Sequence, residues 1–234
     1  MKRQTKALIK RMVSWLEVVS IELAIVLVAF IAAVVTVIFF TKLIFVDKKD
    51  HFDLAVFEMI RPMISSRTTS LVNFFTFFGG QFFLIPANLL LIAYMFFIEK
   101  NKWFALQVLS VSISSLLLMF FLKYLFQRPR PISPLLTEVR GMSFPSGHAF
   151  MSFAFFGLLI YIIYEEVKNK WLKLSLILFF ILMTLAIGFS RIYLRVHYAS
   201  DVIVGFATSL VWLVVAVSIL HRVENYKTKL PPVQ

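Results

Sequence analysis

Long apolar runs alternate along the chain with short basic or polar connections. A helix needs roughly 20 apolar residues to cross the hydrocarbon core of a bilayer. The first such run is Leu23 to Phe40, with Thr36 its only polar member. A second follows Gly80, from Phe82 to Ile98, and carries Pro86 and Asn88. The third, Trp103 to Leu122, contains several serines; the fourth spans Ala149 to Tyr164 and the fifth Trp171 to Phe189. The sixth begins near Val202 and ends near Leu220. The pattern predicts an all-α fold: a polytopic membrane protein, one six-transmembrane-helix bundle covering residues 1–234.

The flanking segments have their own patterns. Arg3, Lys6 and Lys10 share one helical face, with Leu8, Met12 and Leu16 on another. Segment 1–20 is therefore expected to lie on an anionic inner leaflet. The first apolar run is too long for a signal peptide and lacks a small-residue cleavage site, so it reads as a retained anchor. Residues 47–70 are too polar to span. Phe52, Val56, Met59 or Ile60, and Met63 recur at helical spacing, which predicts an interfacial helix or a loop over the bundle end. The Phe-rich stretch Phe74 to Phe83, with Gly79-Gly80, reads as a tight bend into the second span, and residues 225–234 as a flexible tail.

Composition sharpens this picture. Residues are 60% hydrophobic and 15% charged, outside the range of soluble domains, and this excludes a disordered chain or a collagen. The absence of cysteine removes disulfides, zinc–thiolate sites, iron–sulfur clusters and cysteine nucleophiles together. A net charge of +12 invites a nucleic-acid reading. No such motif occurs, however, and the basic residues flank apolar runs, so no nucleic acid is expected. Even-numbered spans place both termini on one side. The connections on that side hold 13 Lys and Arg against 11 opposite, or 8 once Lys123, Arg130 and Arg191 are set aside for chemistry. Both termini are thus expected in the cytoplasm of a multi-pass cell-membrane protein.

Polar residues at span ends are costly, so their clustering is informative. Lys123 closes the third span and Arg128-Pro129-Arg130-Pro131 follows it; Pro145-Ser146-Gly147-His148 opens the fourth. Ser190-Arg191 closes the fifth, and His197 and Asp201 lead into the sixth. Both connections lie at the same membrane surface, here the extracytoplasmic one. Lys123, Arg130 and Arg191 can neutralise a phosphoryl group. Ser146 is a candidate helix N-cap, whose following N–H groups make a phosphate seat. Of two histidines, one can attack phosphorus while the other protonates the leaving oxygen. Asp201 can hold the tautomer that frees the attacking nitrogen of His197. Singly, these residues have plainer readings: Lys123 a snorkelling lysine, Ser146 a helix start, His197 with Asp201 a structural pair. His51 and His221 read as interfacial, and Arg128, Arg140 and Arg195 touch lipid headgroups, further phosphate, or nothing.

Lys123-x6-Arg130-Pro131, Pro145-Ser146-Gly147-His148 and Ser190-Arg191-x5-His197-x3-Asp201 together resemble the three-part signature of the type 2 phosphatidic acid phosphatase (PAP2) superfamily, over residues 123–201. The resemblance implies a metal-independent lipid phosphatase with a phosphohistidine intermediate. It places the nucleophile at His197, the general acid at His148 and the orienting carboxylate at Asp201. Lys123, Arg130, Ser146, Gly147 and Arg191 match its phosphate-binding positions. Arg195 stands where similar sequences often have glycine. Two histidines and an aspartate are a candidate zinc set, but three nearby cations oppose a divalent ion, so neither metal nor cofactor is expected.

The expected partners are membrane lipids and a lipid phosphate or pyrophosphate. Undecaprenyl pyrophosphate, phosphatidylglycerophosphate and phosphatidate are the candidates, and the surplus of Arg128, Arg140 and Arg195 favours a pyrophosphate. A lipid phosphotransferase and a non-catalytic lipid-phosphate binder or transporter are the rivals. Two histidines plus an oriented carboxylate argue against the binder.

Overall fold

The structure, a computed structural model, describes residues 23–132, 134–135 and 141–229. The expectations for the basic segment 1–20, for Arg140 and for residues 230–234 lie outside these. Every regular element among the described residues is helical. They are α1 (Leu23–Val46), α2 (His51–Ile60), α3 (Ser66–Phe77), α4 (Gln81–Ala93, continued by a π turn Tyr94–Ile98), α5 (Lys102–Phe126), α6 (Gly147–Glu166), α7 (Lys170–Tyr193) and α8 (Ala199–Lys229). With α3 and α4 taken as one broken segment, six helical segments among the described residues are long and apolar enough to cross a membrane.

The second of these begins at Ser66, not near Phe82. Arg67, Thr68, Thr69, Ser70 and Asn73 depress the hydropathy of α3, yet Ser65 caps it by accepting from the Thr68 N–H at 3.2 Å. Tyr193, at the end of α7, secures it further: its hydroxyl lies 3.0 Å from Thr69 Oγ1 and accepts from the Ser65 N–H at 3.3 Å. The chain bends at Phe78–Gly80, as the paired glycines suggest, before α4 starts. The helix expected within 47–70 is α2, and its expected stripe divides, with Ile60 buried and Val56 packed on the cluster around it. Phe52, Met59 and Met63 are exposed, while Asp53, Phe57 and Ile60 face the protein. α8 continues to Lys229, into the stretch expected to fray.

The centre of the bundle is α6, with α7 and α8 packed along it, α5 beside α6 and α8, and α4 beside α5 and α6. Val108, Val111, Leu158, Leu213 and Ala216 form one core cluster, and Leu84, Phe155, Phe156 and Ile187 another. Polar side chains inside the spans are tied to one another: Ser112 Oγ donates to Asn88 Oδ1 at 2.6 Å and Trp212 Nε1 donates to Ser114 Oγ at 3.2 Å. α1 is peripheral; Leu23, Val28, Val35 and Ile38 are among its many exposed apolar residues, as a lipid-facing helix requires.

One close approach sets the start of the site. A Cβ on Gly205 of α8 would sit 3.0 Å from the Ser146 carbonyl oxygen and 3.2 Å from Ala149 Cβ. The α8 backbone thus lies directly on the first turn of α6. Gly205→Val is expected to cost about 1–3 kcal/mol through overpacking, read as a lowered Tm in detergent, with Gly205→Ala milder. An unchanged Tm for the valine variant would show that the two helices separate freely.

Candidate active site

The ends of α5 and α7 and the starts of α6 and α8 meet at one end of the bundle, and α2 and the α3–α4 bend close around them. Ser146 is the N-cap of α6, its hydroxyl accepting from the Ala149 N–H at 3.5 Å. Its own N–H donates to the Asp201 carbonyl at 3.0 Å, which joins α6 to α8. The first N–H groups of α6, on Gly147 and His148, have no intrahelical acceptor and open a positive helix end toward the site. Lys123 lies alongside, its Cε 3.7 Å from where a Cβ on Gly147 would be.

His197 follows the last turn of α7 and is only 2% exposed. Its Nδ1 faces Asp201 Oδ2 at 3.5 Å and Ser143 Oγ at 3.4 Å. Asp201 Oδ2 also accepts from the Ser143 hydroxyl and, at 3.0 Å, from the Tyr198 N–H. Both hydrogen-bonding neighbours of the ring on that side sit at Nδ1, so Nε2 is the nitrogen turned to the site. It lies 3.3 Å from Arg130 Nη1. Burial pushes the His197 imidazole down to about 4, against the raising pull of its hydrogen bond to Asp201, so the ring is neutral at physiological pH.

The three cations expected to bind phosphate are held without carboxylate partners among the described residues. Lys123 Nζ donates to the Met142 carbonyl at 2.7 Å, and Arg130 donates to the carbonyls of Val196 at 2.7 Å and Gly141 at 3.0 Å. Arg191, 4% exposed, donates through Nη1 to Thr76 Oγ1, and its buried Nε has no acceptor. An orphaned guanidinium donor beside two other unneutralised cations is what an anion would satisfy. His148 has Arg191, Arg130 and Lys123 as its charged neighbours, with His197 nearby. Gly79 and Gly80 wall it in: a Cβ on Gly79 would come within 3.2 Å of the His148 ring and 2.4 Å of Ile187.

All eight residues singled out in the motifs therefore gather at this end. Arg128 does not take the role considered for it. Its guanidinium is shared between Asp201 Oδ1 at 2.6 Å and Asp53 Oδ2 at 2.7 Å and stacks 3.9 Å from the Tyr198 ring centroid. Its charge is spent on buried carboxylates, so it adds nothing for a second phosphate. Arg195 lies over the Phe57 ring at 5.6 Å, also away from the phosphate cations. Its φ of +53° is left-handed, a conformation that glycine adopts freely and that accounts for the glycine common at this position. These two placements remove most of the charge on which the preference for a pyrophosphate rested.

Thr76, Ser143, Asp53 and Ser200 escaped the sequence reading. Thr76 is a lone hydroxyl in an aromatic stretch, and Asp53 is one of two carboxylates, with Glu58, in a mostly apolar helix; both are visible in the sequence but point to no partner. Among the described residues, no group of three His, Asp or Glu side chains is arranged to hold a metal ion.

Residues 104–224 match the sequence profile of the PAP2 superfamily. Phosphatidylglycerophosphatase B of Bacillus subtilis (strain 168) is 30% identical over 156 residues, which cover 66% of this chain and 76% of that protein. Two crystal structures share the fold. The transmembrane PAP2-type phosphatidylglycerolphosphate phosphatase from Bacillus subtilis superposes with a TM-score of 0.74 at 22% identity, covering 83% of this chain and 96% of that one. Aquifex aeolicus LpxE gives a TM-score of 0.56 at 23% identity, covering 70% of this chain and 94% of the other. Six membrane-length helices, the three motifs brought to one end of them and a profile match over half the chain lead to one conclusion: the chain belongs to the PAP2 superfamily, as a multi-pass membrane protein whose homologues are phosphatases.

Proposed function

We propose that the protein hydrolyses the phosphate monoester of a membrane lipid, with a phosphatidylglycerophosphate-type headgroup first among the candidates, through a covalent phosphohistidine at His197. The observation that carries this reading is the His197 ring, neutral and held at Nδ1 by Asp201 and Ser143, with Nε2 3.3 Å from Arg130, one of three cations at this end without a carboxylate partner among the described residues. The name of the 30% identical Bacillus relative supports the headgroup, and the pairing of Arg128 with two carboxylates supports a monophosphate over a diphosphate.

The chemistry proceeds in two displacements. Lys123, Arg130 and Arg191 hold the non-bridging oxygens, and the first N–H groups of α6 add two donors to them. His197 Nε2 attacks phosphorus as the bond to the lipid oxygen breaks, and His148 gives that oxygen its proton. The phosphorylated ring keeps its Nδ1 proton and becomes cationic, facing Asp201. Water then attacks phosphorus, its proton passing to His148, and the P–N bond breaks to release phosphate and neutral His197. No step requires a metal: the three cations supply the charge that a divalent ion would bring. The lipid tail extends among exposed apolar helix faces. The excess of Lys and Arg on the connections at the opposite end supports cytoplasmic termini and a site at the extracytoplasmic surface.

His197→Ala is expected to abolish phosphate release and Arg191→Ala to lower the rate about 10²–10³-fold. Release should be inhibited by vanadate and indifferent to EDTA; substantial turnover by purified His197→Ala would remove the nucleophile assignment. In a substrate panel, phosphatidylglycerophosphate should exceed undecaprenyl pyrophosphate in kcat/KM.

Nitrogen-15 histidine spectra of the ligand-free protein should show His197 neutral down to about pH 4. The unfolded chain takes this proton near 6.5. Its contribution to stability is therefore full above about 6.5 and is lost as pH falls toward 4. A titration midpoint at or above 6.5 would contradict the buried, neutral ring.

Because the chain has no cysteine, single cysteines report sidedness cleanly. Ile132→Cys, at a site-side position 91% exposed, should react with an impermeant maleimide in intact cells. Lys168→Cys should react only after permeabilisation, and the reverse pattern would invert the topology.

A further inference from the structure

Asp53 belongs to α2, ahead of the family-matched segment 104–224, and is 2% exposed. Its Oδ2 accepts from Arg128 Nη2 at 2.7 Å and from the Ser200 hydroxyl at 2.7 Å. Its Oδ1 accepts from the Ser200 N–H at 2.9 Å. Ser200 Oγ in turn accepts from Arg128 Nη1 at 2.8 Å, and the same Nη1 donates to Asp201 Oδ1 at 2.6 Å. Asp53 thus grips the first turn of α8 at Ser200, one residue before Asp201, and occupies half of the guanidinium that would otherwise belong to Asp201 alone.

Charge counting gives this contact a role in the reaction. With His197 neutral, Asp53, Arg128 and Asp201 sum to one negative charge in a buried cluster. Attack on phosphorus makes the imidazole cationic, and the cluster then sums to zero. Without the Asp53 charge, Arg128 and Asp201 cancel each other, and the imidazolium forms with no net counter-charge in a low-dielectric place. Asp53 touches neither His197 nor the three phosphate cations in any contact among the described residues, so its influence runs through Arg128 and Ser200 to Asp201.

We propose that Asp53 is a positioning residue of the reaction, which balances Arg128 and anchors the start of α8 so that Asp201 keeps a net negative charge for His197. This rests on the phosphohistidine reading, which the His197→Ala variant tests separately.

The test is a double-mutant cycle on the full-length protein in detergent, with Tm measured alongside kinetics. Asp53→Asn is expected to lower kcat about 10–100-fold while KM changes by less than about threefold, because Lys123, Arg130 and Arg191 are untouched. Arg128→Gln removes the charge that Asp53 balances. Adding Asp53→Asn to Arg128→Gln should therefore leave kcat within about twofold of Arg128→Gln, or raise it, and should exceed Asp53→Asn alone. A purely structural Asp53 predicts instead that kcat only follows Tm, since either single variant strands a buried charge and the double does not, so that Asp53→Asn assayed well below its Tm keeps the wild-type kcat. Either that result, or a rise in KM with unchanged kcat for Asp53→Asn, would overturn the proposal and leave the nucleophile assignment standing. If Asp53→Asn alone does not yield folded protein, the Arg128→Gln pair decides. A tenfold or larger loss of kcat on adding Asp53→Asn to it then counts against the proposal.

Discussion

Arg128 is buried, with 8% of its surface exposed, and its fork is divided between two carboxylates that come from opposite ends of the chain's membrane domain. A buried charge of either sign is tolerable only when its hydrogen bonds are complete, and removing one partner leaves the other stranded. The guanidinium therefore locks together α2, the segment after α5 and the first turn of α8, with the Tyr198 ring closing its face. The position of Asp201, and through it the orientation of His197, follows from that lock. The bundle core could form from apolar packing alone, but the site could not take this shape without the shared charge.

The cations at this end of the molecule consequently fall into two groups with different physics. Arg128 is neutralised by carboxylates and serves the architecture. Lys123, Arg130 and Arg191 are held by backbone carbonyls and a threonine hydroxyl, dipoles that fix a side chain without cancelling its charge. Such cations repel one another when the site is empty, and an anion relieves the repulsion. The helix that begins at Gly147 adds its positive end to the same place. Concentrating that field beside a neutral imidazole, at the end of spans whose exposed faces are apolar, suits a phosphate attached to a lipid better than a free one.

Much of this was legible without coordinates, and the exceptions have a common cause. The apolar runs predicted six spans because a helix crossing hydrocarbon must satisfy its own backbone, which leaves a long unbroken signature. The second span begins earlier than expected because Thr69 of α3 meets the Tyr193 hydroxyl and Thr76 the Arg191 guanidinium, while Arg67, Ser70 and Asn73, which lower the hydropathy, stay exposed. For Arg128 and Arg195, which neighbour the expected phosphate-binding positions in sequence, a lipid headgroup, further phosphate or no contact all stayed open. In the fold, one turns to Asp53 and the other to Phe57. For α2, the periodic stripe is split, Val56 and Ile60 packing on the protein while Phe52, Met59 and Met63 stay exposed, because the protein-facing side also carries Asp53.

The three motifs, their order and the helix caps were determined by sequence alone, because each depends on residues a few positions apart whose geometry a helix start or end dictates locally. Ser146 as an N-cap and His197 four residues before Asp201 needed no distant partner to be recognised. What only the tertiary structure decided was which charges cancel and which stay free. That depends on contacts between Asp53 and Arg128, 75 residues apart, and between Thr76 and Arg191, 115 apart. Coulomb and hydrogen-bond energies fall off over ångströms in space, and no local pattern along the chain encodes those distances.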